Sequence, residues 1–318
     1  MYSSKHDCRI MNKLPTYSCD CTHNSCSCSV PPKLPALADR VGDIYDLLVH
    51  ETAAAIKQAG YAHVTLGISG GLDSALVATI AADALLKSDL PVSNLHGVIM
   101  PSQWTAQQSV DDAQDLASRL QIESLTINIV PTLNILSSSL ESAFAGKSAD
   151  VTEENMQARI RAVILMALSN KHDWLVLCTG NLSESLVGYS TLYGDTVGAF
   201  APLAPIYKTW AYELAEYRNG RAREAGKTEP IPRAIIEKAP SAELAPGQTD
   251  EAALGPYDQL DALLFAAYNL HRDSPVDETG LIGLGFDGDF VRSTLARIRD
   301  SEFKRQQACP GAVLPDIF

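Results

Sequence analysis

The stretch that most constrains the fold is Gly67-Ile-Ser-Gly-Gly-Leu-Asp-Ser74, which lies between two apolar segments. Residues 64–66 before it have the composition of a buried strand, and residues 75–82 after it form an apolar run typical of a helix. Adjacent glycines allow a sharp turn and leave backbone N–H groups uncovered. The N-terminus of the following helix adds unpaired donors and partial positive charge. The sequence therefore predicts a strand, a phosphate-binding loop and a helix.

Asp73 is the unexpected residue of this loop, because a carboxylate that faces phosphates repels them unless a cation lies between. Ser69 and Ser74 would add hydroxyl donors at the two ends of the loop. The loop has no lysine and so differs from a Walker loop. It predicts a nucleotide bound together with Mg²⁺. An ordinary glycine-rich turn between a strand and a helix is the alternative.

Further apolar segments at residues 95–100, 125–130 and 174–180 alternate with helical patterns near residues 38–59, 110–120 and 153–170. Strands that are apolar throughout and alternate with helices indicate a parallel sheet covered on both faces. The predicted fold is α/β, a doubly wound parallel sheet with helices on both faces, followed by a helical C-terminal cap. Ligands of such sheets bind beyond the carboxyl ends of the strands.

Two local predictions accompany this fold. Ser109 is expected to cap the helix that contains residues 110–120. Residues 239–255 are rich in Pro, Gly, Asp and Glu, which favours either a mobile loop beside the site or a solvated connection.

The composition narrows the class of protein. The chain has 318 residues, 46% of them hydrophobic, and a net charge of −13. An acidic chain argues against a general nucleic-acid-binding surface. No apolar run approaches the roughly 18 residues that a membrane span requires. We expect a cytoplasmic protein with no nucleic-acid and no membrane partner.

The N-terminal segment differs from the rest in its cysteine content. Residues 1–35 are predicted to be a disordered extension and residues 36–318 a single folded domain. No apolar segment typical of a secretory signal precedes the cysteines. Their Cys-x-Cys spacing differs from the usual Cys-x-x-Cys zinc knuckle, although zinc or copper(I) binding stays open. The five cysteines of this segment are Cys8, Cys19, Cys21, Cys26 and Cys28.

Ser69-Gly-Gly-Leu-Asp-Ser74 resembles the PP-loop of the ATP pyrophosphatases, and further blocks make the resemblance more specific. From about residue 36 to residue 311 the chain is similar to NAD synthetase, and above all to the synthetase domain of bacterial glutamine-dependent enzymes. The blocks that carry this resemblance are Asp150-Val-Thr-Glu-Glu-Asn-Met-Gln-Ala-Arg-Ile-Arg161, Cys178-Thr-Gly-Asn-Leu-Ser-Glu184, Tyr189-Ser-Thr-Leu-Tyr-Gly-Asp195, Ala201-Pro-Leu-Ala-Pro-Ile-Tyr-Lys-Thr209 and Lys238-Ala-Pro-Ser-Ala-Glu-Leu244.

The resemblance implies a ligase that uses ATP and Mg²⁺ to convert deamido-NAD and ammonia into NAD, AMP and pyrophosphate through an acyl adenylate. It also implies a homodimer. Asp73, Glu184 and Lys208 would be catalytic, and Asp73 and Glu184 would hold the metal. The implied ATP contacts are Gly67, Ile68, Ser69, Gly70, Gly71, Leu72, Asp73, Ser74, Thr179, Lys208 and Ser241. The implied deamido-NAD contacts are Asn155, Arg159, Glu184, Asp195 and Lys304.

Several of these residues have plainer interpretations. Asn155 fits the first turn of a helix, and Glu184 fits an acid that stabilises a helix N-terminus. Lys208 and Lys304 could be solvated surface lysines. At the level of function, the alternatives are another PP-loop enzyme, such as a tRNA thiolase or a GMP synthetase-like amidotransferase, and a catalytically silent nucleotide-binding subunit.

One departure from the glutamine-dependent enzymes concerns the nitrogen donor. Those enzymes carry a glutaminase domain before the synthetase domain, whereas 35 residues precede the synthetase-like part of this sequence. We therefore expect ammonia as the direct donor, taken from solution or from a separate glutaminase partner, unless the chain is a fragment of a longer enzyme.

Overall fold

The computed structural model describes residues 31–269 and 276–314 of the chain. The predicted disordered extension and the cysteine motifs of residues 1–30 lie outside the described residues, so the structure does not bear on them. Residues 31–37 have no regular secondary structure and lead into a short 3₁₀ turn at Ala38–Arg40.

One parallel sheet organises the described part of the chain. Its strands are β1 (His63–Gly67), β2 (Leu95–Ile99), β3 (Glu123–Thr126) and β4 (Trp174–Val176), in the order β3-β2-β1-β4. The chain moves outward from β1 to β3 and then returns to the other side of β1. The gap between the ends of β1 and β4 is therefore the topological switch point, where α/β sheets bind ligands.

Helices cover both faces of this sheet, which confirms the predicted doubly wound α/β fold. The helices α1 and α2 pack on each other and on α7, whereas α5 packs on the opposite face against β1, β4 and α4. In chain order the helices are α1 (Val41–Ala59), α2 (Leu72–Lys87), α3 (Gln107–Leu120), α4 (Val130–Leu140), α5 (Val151–His172), α6 (Leu182–Leu186), α7 (Lys208–Glu224), α8 (Arg233–Glu237), α9 (Asp250–Leu254), α10 (Tyr257–Asn269), α11 (Glu278–Gly283), α12 (Gly288–Asp300) and α13 (Glu302–Arg305).

The two faces have separate apolar cores. Val64, Leu66 and Ile80 belong to the larger core, shared with α1 and α7. Val98 and Val176 belong to the smaller core, under α4 and α5. In the C-terminal part, a third cluster joins α10, α11 and α12 and forms the predicted helical cap. In the two described ranges, no helix combines the length and the apolarity needed to cross a bilayer.

The third strand differs from its prediction. We expected an apolar strand at residues 125–130, but β3 covers Glu123–Thr126 and its side chains are exposed. The strand lies at the edge of the sheet and pairs with one neighbouring strand. An edge strand can expose its side chains to solvent, so it need not be apolar on both faces. Pro131 lies in the first turn of α4, where the missing N–H costs no helical hydrogen bond, so a helix begins directly after the segment that we expected to be a strand.

The predicted cap at Ser109 is also wrong, because α3 begins two residues earlier, at Gln107. The Ser109 hydroxyl instead donates to Glu243 Oε1 at 2.6 Å. At the start of α5, by contrast, acidic side chains do cap the helix. The Asp150 carboxylate accepts from Thr152 N at 2.7 Å, and Glu153 Oε2 accepts from Asp150 N at 2.8 Å, which makes a capping box.

Candidate active site

The glycine loop connects β1 directly to α2 at the switch point. Gly70 has φ +77°, and a Cβ atom there would lie 2.1 Å from the Ser109 carbonyl oxygen. Only glycine fits both the conformation and the space. Because α2 begins at Leu72, the loop places the free N–H groups of the helix at the carboxyl edge of the sheet.

The serines of the loop hold its shape. Ser74 Oγ accepts from Ser69 N at 3.1 Å and donates to Gly71 O at 3.0 Å. Ser69 Oγ accepts from Gly71 N at 3.2 Å and lies 3.1 Å from Ser74 Oγ. Both hydroxyls, which we predicted to face phosphates, are thus engaged inside the loop, and the backbone N–H groups are the principal donors it offers.

A buried lysine lies between two acids in front of this loop. Lys208, the first residue of α7, is 6% exposed, forms an ion pair with Asp73, and lies 3.6 Å from Glu184 Oε1. Burial disfavours the charge of Lys208, but the nearby Asp73 and Glu184 carboxylates outweigh it and raise its pKa. Burial raises the pKa of Glu184, an effect that Lys208 opposes and Asp73 reinforces.

Asp73 has one carboxylate oxygen in use and one without a partner. Asn181 Nδ2 donates to Asp73 Oδ2 at 3.3 Å, the same oxygen that contacts Lys208. Oδ1 is buried and has no hydrogen-bond partner among the described residues. A buried orphan carboxylate oxygen fits a cation, since such groups are otherwise paired. The described ranges contain no cluster of three or more His, Cys, Asp or Glu arranged as a metal cage. Asp73 and Glu184 are donors of the kind that Mg²⁺ uses, since this ion takes one or two carboxylates together with waters and substrate phosphates.

A third acid, Asp250, was not found from the sequence. It is 4% exposed and accepts from Tyr189 OH and Tyr257 OH, each at 3.2 Å. Tyr257 OH also lies 3.3 Å from Glu184 Oε1, and the Lys208 ammonium lies 5.4 Å from the centre of its ring. Burial raises the pKa of Asp250. The sequence around Asp250 looks like a solvated helix start, and nothing in it indicates the contact with Tyr189, 61 residues away.

A second group of predicted residues lies along α5 and the segment after α6. Thr191 Oγ1 donates to Asn155 Oδ1 at 2.6 Å, and Thr191 N donates to Asp195 Oδ1 at 2.8 Å. Desolvation by the surrounding protein raises the pKa of Asp195 to about 6. Lys304 Nζ, in α13, donates to two backbone carbonyls of the same segment, Gly188 O at 2.8 Å and Ser190 O at 2.6 Å.

Arg159 and Arg161 lie on different sides of α5, because residues two apart in a helix do not share a face. Arg159 is exposed and donates to Leu192 O at 3.2 Å, outside the cavity wall. Arg161 lines the cavity instead, with Nε donating to Met100 O at 3.0 Å. Burial lowers the pKa of Arg161 to about 10. The structure thus brings Arg161, and not the predicted Arg159, to the site.

The segment of residues 238–249 closes one side of the site, and we call it the closing loop. Its Glu243 accepts from Ala106 N at 3.1 Å, from Ser109 Oγ at 2.6 Å and from Lys238 Nζ at 2.9 Å. These bonds fix the closing loop to the first turn of α3, so it is more than a solvated connection. Ser241 lies in the loop, where its hydroxyl donates to Gln248 O at 2.6 Å.

Contacts to α5 fix the other side of the closing loop. Gln157 Nε2 donates to Leu244 O at 2.8 Å, and Gln248 Nε2 donates to Glu154 Oε2 at 2.9 Å.

The loop, the buried lysine and the α5 residues line one cavity of about 500 Å³. Among the predicted site residues, Gly70 and Arg159 are outside its lining. The predicted residues that line it are Gly67, Ile68, Ser69, Gly71, Leu72, Asp73, Ser74, Asn155, Thr179, Glu184, Asp195, Lys208, Ser241 and Lys304.

A parallel sheet whose switch point carries a glycine loop at a helix N-terminus defines an α/β protein with the adenine-nucleotide α-hydrolase fold. The chain belongs to the NAD synthase family, whose sequence profile matches residues 44–308.

Curated relatives are about two fifths identical to this chain over the aligned residues. A glutamine-dependent NAD(+) synthetase of Thermotoga maritima is 42% identical over 281 residues, covering 88% of this chain and 46% of the relative. The glutamine-dependent NAD(+) synthetase of Rhodobacter capsulatus is 43% identical over 290 residues, and the alignment covers 89% of this chain and 50% of the relative. The chain spans about half the length of these relatives. Since they are named glutamine-dependent, they do not support the predicted preference for ammonia.

Solved structures agree with this assignment. A glutamine-dependent NAD+ synthetase from Acinetobacter baumannii, in complex with ADP, has 38% identity and a TM-score of 0.60, covering 90% of this chain and 48% of that one. An NMN synthetase from Francisella tularensis has 28% identity, a TM-score of 0.66 and coverages of 87% and 99%. An NH3-dependent NAD synthetase from Campylobacter jejuni has 26% identity, a TM-score of 0.63 and coverages of 87% and 98%.

Proposed function

We propose that the chain catalyses the ATP-dependent amidation of deamido-NAD to NAD, with release of AMP and pyrophosphate. The observation that carries the proposal is the buried Lys208 between Asp73 and Glu184, directly in front of the glycine loop. Membership in the NAD synthase family supports it.

The first step is transfer of the adenylyl group. An oxygen of the nicotinate carboxylate attacks the α-phosphorus, the bond from that phosphorus to the bridging oxygen breaks, and pyrophosphate leaves. The backbone N–H groups of the loop and of the α2 N-terminus hold the phosphates, and Lys208 neutralises charge that develops on them. Such transfers need positioning and charge neutralisation more than a nucleophilic side chain.

In the second step ammonia attacks the acyl carbon, and AMP leaves with the electron pair of the acyl–oxygen bond. Asp73 and Glu184 would hold Mg²⁺, which supplies further neutralisation of the phosphates when bound. Asp250 can accept the proton that ammonia gives up near Lys208, since burial raises the pKa of this carboxyl.

The cavity has room for the two substrates on different walls. We place ATP along the glycine loop and Thr179, under Ser241 of the closing loop. We place deamido-NAD along Asn155, Asp195 and Lys304, which line the wall formed by α5 and α13. Ammonia is the direct nitrogen donor in this proposal, whether it is free or supplied by a glutaminase. The functional unit is residues 36–318, as a homodimer.

The test is NAD formation by the purified protein with ATP, Mg²⁺ and deamido-NAD, with ammonium chloride compared with glutamine. We expect equal amounts of NAD, AMP and pyrophosphate with ammonium. Lys208→Met should abolish product, whereas Lys227→Met, at an exposed lysine, should not. Absence of product with both nitrogen donors would contradict the proposal. Light scattering tests the dimer, which a monomeric mass would exclude.

A further inference from the structure

A buried carboxylate lies behind the charged groups of the site, outside the substrate cavity. Asp261, in α10, is 0% exposed and does not belong to the residues that line the cavity. The reaction described above gives it no role. A buried carboxylate destabilises a fold unless hydrogen bonds compensate for its lost hydration, so the partners of Asp261 indicate what it contributes.

Both oxygens of Asp261 accept hydrogen bonds, and the donors belong to two different helices. Oδ1 accepts from the Ser183 hydroxyl, in α6, at 2.5 Å. Oδ2 accepts from the backbone N and from the hydroxyl of Thr209, in α7, each at 2.8 Å. An ionised carboxylate is an acceptor only, and all three of these bonds are donated to it. Asp261 therefore connects α6 to the first turn of α7.

Ser183 adds a second connection between the same helices. Its Oγ accepts from Lys208 N at 2.9 Å while its hydroxyl donates to Asp261. Tyr207 precedes α7, and its side chain does not cap the helix. The first two N–H groups of α7, those of Lys208 and Thr209, are thus capped by side chains from α6 and α10.

The residues held in this way are the sequence neighbours of two charged groups of the site. Glu184 follows Ser183 in α6, and Lys208 precedes Thr209 in α7. The Lys208 ammonium lies 3.6 Å from Glu184 Oε1. The separation of the two charges depends on the distance between the two helix backbones at this point. An error of about 1 Å in the position of a reacting group can lower a rate about 100-fold.

We propose that Asp261 is a positioning residue, which holds Lys208 and Glu184 at the separation that adenylyl transfer requires. It does so through its hydrogen bonds to Ser183 and Thr209. The role of the two charged groups rests on the proposed function, whereas the connection between α6 and α7 does not.

The experiment compares Asp261→Ala with Asp83→Ala, both in the full chain. Asp83 also accepts three bonds, from Tyr45 OH and from Nε and Nη2 of Arg218, but it lies outside the cavity lining. Both variants should unfold at a lower urea concentration than the parent, because each leaves donors without a partner. Only Asp261→Ala should change catalysis per folded molecule.

The expected change is a loss of kcat with little change in KM. Asp261→Ala should lower kcat for NAD formation at least about tenfold and keep the KM for deamido-NAD within about twofold, because the misplaced groups act on the transition state. Asp261→Asn keeps one acceptor oxygen and should recover part of kcat. Ser183→Ala removes the acceptor of Lys208 N and should also lower kcat. The last two variants change fewer atoms and decide the question if Asp261→Ala does not fold.

A second measurement follows the Lys208 side chain without relying on NAD formation. This side chain is 6% exposed, so a lysine-directed acylating reagent should modify it slowly in the parent and faster in Asp261→Ala. Asp83→Ala measures the increase that lower stability alone produces. Mass spectrometry of the peptide that contains residue 208 gives the modification rate in each protein.

Three outcomes would overturn the proposal. The first is a kcat per folded molecule in Asp261→Ala equal to that of the parent, and the second is a higher KM for deamido-NAD without a loss of kcat. The third is modification of Lys208 no faster in Asp261→Ala than in Asp83→Ala. A parent that makes no NAD, while Lys208 is still modified faster in Asp261→Ala than in Asp83→Ala, would instead contradict the proposed function and leave the positioning of Lys208 in place.

Discussion

The two edges of the one sheet are built in different ways. At the carboxyl edge, Asp73, Glu184 and Asp250 surround Lys208, so buried charges remain and one carboxylate oxygen has no partner. At the amino edge, Trp174 stacks on His96 with ring centres 3.9 Å apart and planes 8° apart.

The amino edge continues as a column of rings that we call the His–Trp stack, made of His63, His96, Trp174 and His172. His172 stacks on the other side of Trp174, with ring centres 4.6 Å apart, and His63 Nδ1 lies 3.0 Å from His96 Nε2. Stacked rings stabilise the fold through their packing. We infer from this difference that ring packing at the amino edge stabilises the sheet. The buried charges at the carboxyl edge are instead available to interact with ligands.

The largest expected effect is on the amino edge. Trp174→Ala removes the centre of the His–Trp stack and should lower the free energy of unfolding by about 3–5 kcal/mol. NAD formation per folded molecule should persist at low temperature, because the substitution is at the far edge from Lys208. Urea titration measures the loss, and Trp174→Phe, which keeps a ring in the stack, should lose less. If Trp174→Ala unfolds at the same urea concentration as the unchanged protein, the His–Trp stack does not stabilise the amino edge.

Asp73→Asn should act mainly on catalysis and lower the rate of NAD formation per folded molecule by about 100-fold, because it removes a charge from the proposed phosphate site. Asp83→Asn is the matched control on the same helix. Asp83 accepts from Arg218 Nε and from Tyr45 OH, each at 2.7 Å. Asp83→Asn should lower the free energy of unfolding by about 1–3 kcal/mol and leave the rate of NAD formation per folded molecule near normal. Equal rates for the two variants would contradict the comparison.

A smaller effect is expected at the closing loop. Glu243→Gln weakens the charge-assisted bonds to Ala106 N, Ser109 and Lys238, which should raise the KM for ATP by roughly 3–10-fold. Glu251→Gln changes a nearby exposed acid in the same way and serves as the control. Steady-state kinetics separate KM from kcat. If both variants behave like the unchanged protein, the closing loop does not contribute to ATP binding.

The smallest effect is a pH dependence of stability. Burial lowers the pKa of His96, as do the nearby His63 and His172, while Glu123 opposes them. The unfolded chain therefore takes up a proton at a pH where folded His96 remains neutral. Stability should be complete above about pH 6.5 and decline as the pH falls below it. Thermal unfolding between pH 7.5 and 5.5 measures the decline. His96→Phe should reduce this decline in stability. If the variant loses as much stability between pH 7.5 and 5.5 as the unchanged protein, the decline comes from other groups.

Local signals determine most of what the sequence predicts correctly. The glycine loop and α2 follow from adjacent residues, and the helix expected near residues 153–170 is α5. β3 fails because its edge position, which depends on the order of the strands, relaxes the need for apolar residues.

The differences between the predicted site residues and the cavity lining also come from tertiary contacts. Arg161 replaces Arg159 in the cavity because the rotation of α5 about its axis is set by the core beneath it. Asp250 is buried by Tyr189 and Tyr257, of which Tyr189 lies 61 residues away in the chain. No pattern within a short window records such an encounter, so the charge balance around Lys208 becomes apparent only in three dimensions.

Ser109 contacts both the glycine loop and the closing loop. Its carbonyl oxygen fills the space that a side chain at Gly70 would need, and its hydroxyl bonds to Glu243 of the closing loop. A displacement of the closing loop can therefore be transmitted through this one residue to the glycine loop. Occupancy of the glycine loop and the position of the closing loop are linked, and each should report on the other when either is given a spectroscopic label.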